Sequence, residues 1–125
     1  MKKYFLPLFI LFACSAENRE VVLSPTEFQT KLKDTPDAIL LDVRRLDEIA
    51  VDRLENSQSI VFDDAFNTKL EDLEHKPIFI YCAFGKRSEK AAAILRDKGY
   101  KDVYELEGGL SAWKSAGLAV DNTPR

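Results

Sequence analysis

The stretch "PIFIYCAFGKRSEKAAAILRDKG", residues 77–99, places one thiol where chemistry is possible. An apolar run, β-branched and aromatic, ends on Cys82. Ala83, Phe84 and Gly85 follow, then the cations Lys86 and Arg87, then Ser88 and an alanine-rich segment of helical character. A strand that passes into a helix through so short a loop must turn sharply, and Gly85 supplies the backbone freedom for it. The first N–H groups of a helix have no partners within it and carry the positive end of its dipole. Successive loop N–H groups form a concavity suited to an anion. With the formal charges of Lys86 and Arg87, each of these features favours a thiolate over a thiol. The expected result is a lowered pKa for Cys82 and a nucleophilic sulfur. The plainer alternative is a cysteine acting as a small buried apolar residue beside a solvated Lys-Arg pair. The order of strand, thiol, glycine, cations and helix start weighs for the chemical reading.

The elements that must hold this loop can be read along the chain. "VVL" (21–23) is a brief strand. Ser24, Pro25 and Glu27 have the spacing of a capping box with proline at the first helical position, and the helix over 25–33 carries Phe28 and Leu32 on one face. "AILLDV" (38–43) is a continuous apolar run, as for a strand buried on both sides of a parallel sheet. "SIVF" (59–62) is a further short strand candidate, and Phe66, Leu70 and Leu73 recur at helical spacing over 66–74. "PIFIYC" (77–82) is the strongest strand, with Pro77 at its start where no ladder donor is needed. A helix over 87–99 is ended by Gly99, with Arg96 and Lys98 in its last turn. "DVYEL" (102–106) is a strand, and 108–117 is a short helix stopped by Gly117. Strands alternating with helices predict one layered α/β domain with a parallel sheet. In such folds ligands sit beyond the carboxyl ends of the strands, where Cys82 stands.

The chain has 125 residues, room for one domain, and its 46% hydrophobic and 31% charged composition suits a globular fold. A net charge of −3 weighs against a nucleic-acid partner. The beginning, "MKKYFLPLFILFAC", is different in kind. Two lysines precede an apolar run from Tyr4 to Ala13, too short for the ~20 residues of a bilayer span but suited to the core of a secretory signal. Its end, "LFAC", resembles the lipobox of bacterial lipoproteins, although Phe12 is bulkier than is usual there. That resemblance implies a signal peptide over 1–13, lipidation of Cys14 and a tether over 14–20. An ordinary signal peptide cut nearby and an uncleaved anchor are the alternatives. Ser15 stands where an aspartate would resemble an inner-membrane retention signal, so the implied location is the periplasmic face of the outer membrane rather than the inner. With Cys14 lipidated, Cys82 is the sole remaining thiol and has no partner for an internal disulfide.

Three separated motifs resemble the rhodanese-domain sulfurtransferase family. "YCAFGKRS" resembles its active loop, "LLDVRRLDE" (40–48) its strand-and-turn element, and "GYKDVYELEGGLSAW" (99–113) its closing strand and double glycine followed by tryptophan. Together they span residues 21–118, which leaves 119–125 as a C-terminal tail. The resemblance implies a single rhodanese-like α/β domain, with a five-stranded parallel sheet and helices on both faces. It also implies a mechanism. Cys82 is the catalytic nucleophile, attacking the outer sulfur of a donor such as thiosulfate and holding it as a persulfide. A cellular thiol or cyanide then removes it, with no metal or organic cofactor. Residues 83–88 (Ala83, Phe84, Gly85, Lys86, Arg87, Ser88) are the implied substrate-binding loop. From Cys82 to Arg87 is six residues, the length of the sulfur-handling members; related phosphatases have a longer loop with arginine one position later, where this chain has Ser88.

The chain also departs from that pattern. Where the family has glycine-histidine-isoleucine and then glycine-alanine, this sequence reads Asp52, Arg53, Leu54 and then Asn56, Ser57. That departure keeps open a non-catalytic protein-binding module as the second reading, with a phosphatase or arsenate reductase third. Asp42 and Arg44 end the second strand on the rim that holds Cys82. They are expected to give structural support, Asp42 to the active loop and Arg44 through a pair with Glu48. Phe84 is either a wall at the pocket mouth or a loop anchor. Trp113 is expected in the core, and Gly108 and Gly109 at a close approach of chains near the loop. A single histidine, His75, supports neither a Cys-His dyad nor a histidine-rich metal site. Oligomeric state is not legible.

Overall fold

A computed structural model describes residues 21–125. The signal segment 1–13, Cys14 and the tether 14–20 lie outside the described residues. The elements run β1 (Val21–Leu23), α1 (Pro25–Lys33), β2 (Ile39–Asp42), α2 (Leu46–Val51), β3 (Gln58–Ser59), α3 (Phe66–Lys69) with a 3-10 turn (Leu70–Asp72), β4 (Ile78–Tyr81), α4 (Lys86–Asp97), β5 (Val103–Leu106) and α5 (Gly109–Ser115). All five strands are parallel, in the order β1-β5-β4-β2-β3. This is the single α/β domain with a five-stranded parallel sheet expected from the motifs.

The continuous apolar runs of β2 and β4 follow from burial on both faces. Side chains alternate across the sheet with a period of two. Ile39, Leu41, Val43, Ile78, Ile80 and Cys82 therefore point to one side, where Phe66, Leu70, Ala91, Ala92 and Leu95 of the covering helices meet them. Leu40, Phe79 and Tyr81 point to the other, against Phe28, Leu110 and Trp113. Helices cover both faces because both carry a core. Trp113 sits in the second of these cores and donates its indole N–H to Ala119 O at 3.0 Å.

Two elements differ from the sequence reading. The strand expected over 59–62 is only Gln58–Ser59. Beyond it Ile60 N donates to Asp42 O and Phe62 N to Val43 O, while Ile60 and Phe62 pack into the first core. The neighbouring β2 ends at Asp42, whose carboxylate accepts the Arg44 amide at 2.9 Å and turns the chain, so there is no straight ladder left to extend. The helix α2 was not anticipated: of its six residues only Ile49 is buried, too little periodicity to read.

The segment after residue 118 does not run free as a tail. Arg53 and Asp121 pair antiparallel through their backbones at 3.0 and 2.8 Å, and Val120 packs on the second core. Arg53 is fully buried; its guanidinium donates to Ile49 O at 3.1 Å, to the Thr123 hydroxyl at 3.1 Å and to Thr123 O. The departure from the family pattern at 52–57 thus has a structural use. Asn56 takes up the left-handed conformation (φ +65°) that a glycine would adopt there, which asparagine tolerates better than most residues.

Candidate active site

β4 lies at the centre of the sheet, with β2 on one side and β5 on the other. The chain leaving β2 passes outward to β3, whereas the chain leaving β4 passes the opposite way to β5. The carboxyl ends of β2 and β4 therefore diverge, and Cys82, one residue past β4, stands at that divergence. Gly85 caps α4 with φ +105°, a conformation closed to most side chains, and α4 begins at Lys86, one residue earlier than expected.

The loop closes on the sulfur. Gly85 N donates to Cys82 Sγ at 3.0 Å and Ser88 N at 3.4 Å; the Ser88 hydroxyl lies 3.4 Å from it. Burial pushes the thiol up, but the Ser88 hydroxyl and the Ser88, Gly85 and Phe84 amides outweigh it, and the net direction is down. This agrees with the sequence reading in direction and in the part played by the loop amides, and departs from it in two respects. Burial, which the sequence argument left out, opposes ionisation, and hydrogen bonds rather than the two cations overcome it. Cys82 is 1% exposed, so in this conformation the surrounding loop covers the sulfur.

The six loop residues do different things. Ala83 turns its carbonyl back to α5, accepting from Ser111 N at 3.0 Å, beside the Leu110 N to Cys82 O bond of 2.8 Å. Phe84 is 74% exposed, so it stands at the mouth and does not anchor the loop. Lys86 is exposed at the first turn of α4. Arg87 forms a bidentate pair with Glu48, at 2.6 and 3.0 Å. Gly109 is where α5 meets the loop. A Cβ there would lie 2.5 Å from Cys82 O and 2.6 Å from Ala83 C.

The expected pair of Arg44 with Glu48 is not formed. Arg44 turns instead to Asp42, with Nη2 to Oδ2 at 2.8 Å and Nε to both oxygens at 3.1 Å, and to Asp52 O at 2.6 Å. Both Asp42 and Arg44 are buried, so this is not a surface pair, and Lys114 of α5 closes on Asp52 from the other side. Asp42 does not reach the cysteine loop; it holds the turn after β2 that carries α2, and with it Glu48, to Arg87. Spacing alone favours Arg44 with Glu48, four residues apart, but Arg44 lies in the turn before α2 and not on the helix. The true partner of Glu48 lies 39 residues away, and no local signal reveals it.

Ser88 offers a direct check. Its hydroxyl donates to Gly85 O at 3.1 Å while the thiol is protonated, and it can turn to the sulfur once the proton leaves. Ser88→Ala removes one of the influences that lower the Cys82 pKa. The pH profile for alkylation by iodoacetamide is expected to move to higher pH, with the rate at neutral pH down about tenfold. An unshifted profile would mean that the hydroxyl does not act on the thiolate.

This geometry can be set beside that of known proteins. The chain is 39% identical over 93 residues to the tRNA uridine(34) hydroxylase of Cytophaga hutchinsonii, across 70% of this chain and 30% of that one, so it spans under a third of that curated relative's length. Among solved structures, a rhodanese-related protein from Thermoplasma volcanium matches with a TM-score of 0.73 at 26% identity, over 82% of this chain and 99% of the other. A protein of unknown function from Rhodopseudomonas palustris, described as a possible tyrosine phosphatase, matches with a TM-score of 0.71 at 26% identity, over 85% and 88%. The family model for the rhodanese-like domain covers residues 24–116, from the cap of α1 to the end of α5 and so across every residue that touches the sulfur; the chain belongs to the rhodanese-like domain family.

Proposed function

We propose that the chain is a sulfurtransferase that carries a sulfane sulfur on Cys82. The thiolate attacks the outer sulfur of a donor such as thiosulfate. A new S–S bond forms, the bond between the two donor sulfurs breaks, and its electron pair leaves with sulfite. A thiophilic acceptor, cyanide or a cellular thiol, then attacks the terminal sulfur and restores the thiolate. The loop amides that donate to Sγ favour the thiolate that attacks the donor and the same thiolate as leaving group when the acceptor takes the outer sulfur. The observation that carries this reading is the cradle around Sγ, two amides and one hydroxyl at 3.0 to 3.4 Å.

Two other readings are weaker. A phosphatase would want a loop arginine directed at the anion, and here Arg87 is held by Glu48. A binding module would want the altered 52–57 segment free for a partner, and here Asp52 and Arg53 are engaged within the chain. The hydroxylation that names the curated relative stays with that longer protein. The proposal extends to location: Cys14 carries lipid and holds the domain at the periplasmic face of the outer membrane.

Intact-mass measurement of membrane-extracted protein tests both parts. Lipid is expected on Cys14. Incubation with thiosulfate is expected to add one sulfur atom, and cyanide to remove it with formation of thiocyanate. If no donor adds sulfur, the sulfurtransferase reading falls. Hydrolysis of phenyl phosphate in its place would put the phosphatase reading first.

A further inference from the structure

Arg87 adjoins Ser88, whose amide donates to Cys82 Sγ, and its charge acts on the thiolate, yet both of its terminal nitrogens are taken by the two carboxylate oxygens of Glu48. Hydrogen bonding from Arg87, helped by the Arg45 amide and opposed by burial, holds the Glu48 carboxyl at about 2. The pair therefore stays ionised at every pH at which a thiolate exists. Apart from that pair, a groove of about 310 Å³ lies along the Phe84–Lys86 side of the loop, and Lys86 shares its walls with Glu89 and Glu107. Neither loop cation stands unopposed: Arg87 is paired with Glu48, and Lys86 shares its groove with two carboxylates. The same groove is edged by apolar surface, Phe84 at 74% and Val22 at 50% exposed.

We propose that Glu48, by closing Arg87 into an ion pair, sets the charge of the donor that this loop accepts. It disfavours dianions such as thiosulfate and admits uncharged or singly charged organic hydropersulfides, R–S–SH, whose organic part rests on Phe84. The inference rests on the sulfurtransferase reading and deepens it. The step balances without another reactant. The Cys82 thiolate attacks the outer sulfur, the new S–S bond forms as the donor's own S–S bond breaks, and the electron pair leaves on R–S⁻. That thiolate takes the proton of the transferred SH, leaving Cys82–S–S⁻ and R–SH. Glu48 touches none of the reacting atoms and acts through Arg87, so it is a positioning residue.

The test is the ratio of kcat/KM for thiosulfate to that for cysteine hydropersulfide, read as sulfur gained on Cys82. In the unaltered protein the ratio is expected below about 0.1. Glu48→Gln frees Arg87 and is expected to raise the ratio about tenfold, a gain that fades with added salt. Combining Glu48→Gln with Arg87→Gln restores a neutral mouth and is expected to return the ratio to its starting value. A merely structural role for Glu48 would slow both donors alike and leave the ratio in place. Should Glu48→Gln fail to fold, Arg87→Gln alone reads the same filter from the other side, with an uncompensated carboxylate and a ratio about threefold lower. Sulfur uptake with a ratio that none of these changes moves would overturn this inference alone. Absence of uptake from either donor would overturn the sulfurtransferase reading and this inference with it.

Discussion

Cys82→Ala is expected to abolish sulfur uptake, with transfer to cyanide falling at least roughly a thousandfold, while the domain stays folded. The loss follows because the thiolate is the atom to which the transferred sulfur bonds, and Cys82 is the only free cysteine among the described residues. The structural cost is separate and smaller. Alanine leaves the Gly85 and Ser88 amides without the acceptor they now have at 3.0 and 3.4 Å. Orphaned buried donors cost about 1–3 kcal/mol, so the melting temperature should fall by roughly 5–15 °C. Cys82→Ser separates the two effects. Its hydroxyl can accept the same hydrogen bonds and should recover much of the lost stability, but it ionises too weakly to attack a donor. Thermal melts and a thiocyanate assay on the two variants check this. Transfer above background by either variant would show that the reaction does not run through this sulfur.

Gly109→Ala is expected to be as damaging to the fold as Cys82→Ala is to the chemistry, at about 3–5 kcal/mol. Two causes add. Gly109 has φ +63°, where an alanine costs about 1–2 kcal/mol. Its Cβ would also lie 2.5 Å from Cys82 O, 2.6 Å from Ala83 C and 2.7 Å from Ala83 O, all main-chain atoms with no rotamer to yield. The relief available is to move α5 off the loop, which breaks the Leu110 N to Cys82 O and Ser111 N to Ala83 O bonds. The folded fraction should then show weaker sulfur uptake as well as a lower melting point. Gly117→Ala is the control, because its φ is +77° but nothing lies within 4 Å of the added carbon. It should show the conformational cost alone. Equal melting temperatures for the two variants would mean that the clash at Gly109 carries no weight.

Legibility divided along the range of the interactions. The capping of α1 was readable because Ser24 Oγ accepts from Glu27 N only three residues on. β2 and β4 were readable because burial on both faces leaves an unbroken apolar run, and α4 because its apolar spacing and terminal glycine are local features. The thiol, the turn and the helix start adjoin in the chain, so the direction of the Cys82 pKa could be argued before any coordinates. The short edge strand and α2 left weaker traces, since few of their residues are buried.

The sequence by itself determined the α/β alternation, the placement of Cys82 at a strand end and the amides that would surround it. Each depends on neighbours within a few residues, so periodicity and spacing carry the information. Only the tertiary structure decided where the charges go. Arg87 closes on Glu48, Arg44 on Asp42 and Asp52, and Arg53 on the segment after residue 118. Long cationic side chains have several carboxylates within reach of their spacing, and which one they meet is set by how β2, β4 and α5 converge. The burial that opposes ionisation of Cys82 is likewise a property of the assembled layers, and no stretch of chain encodes it alone.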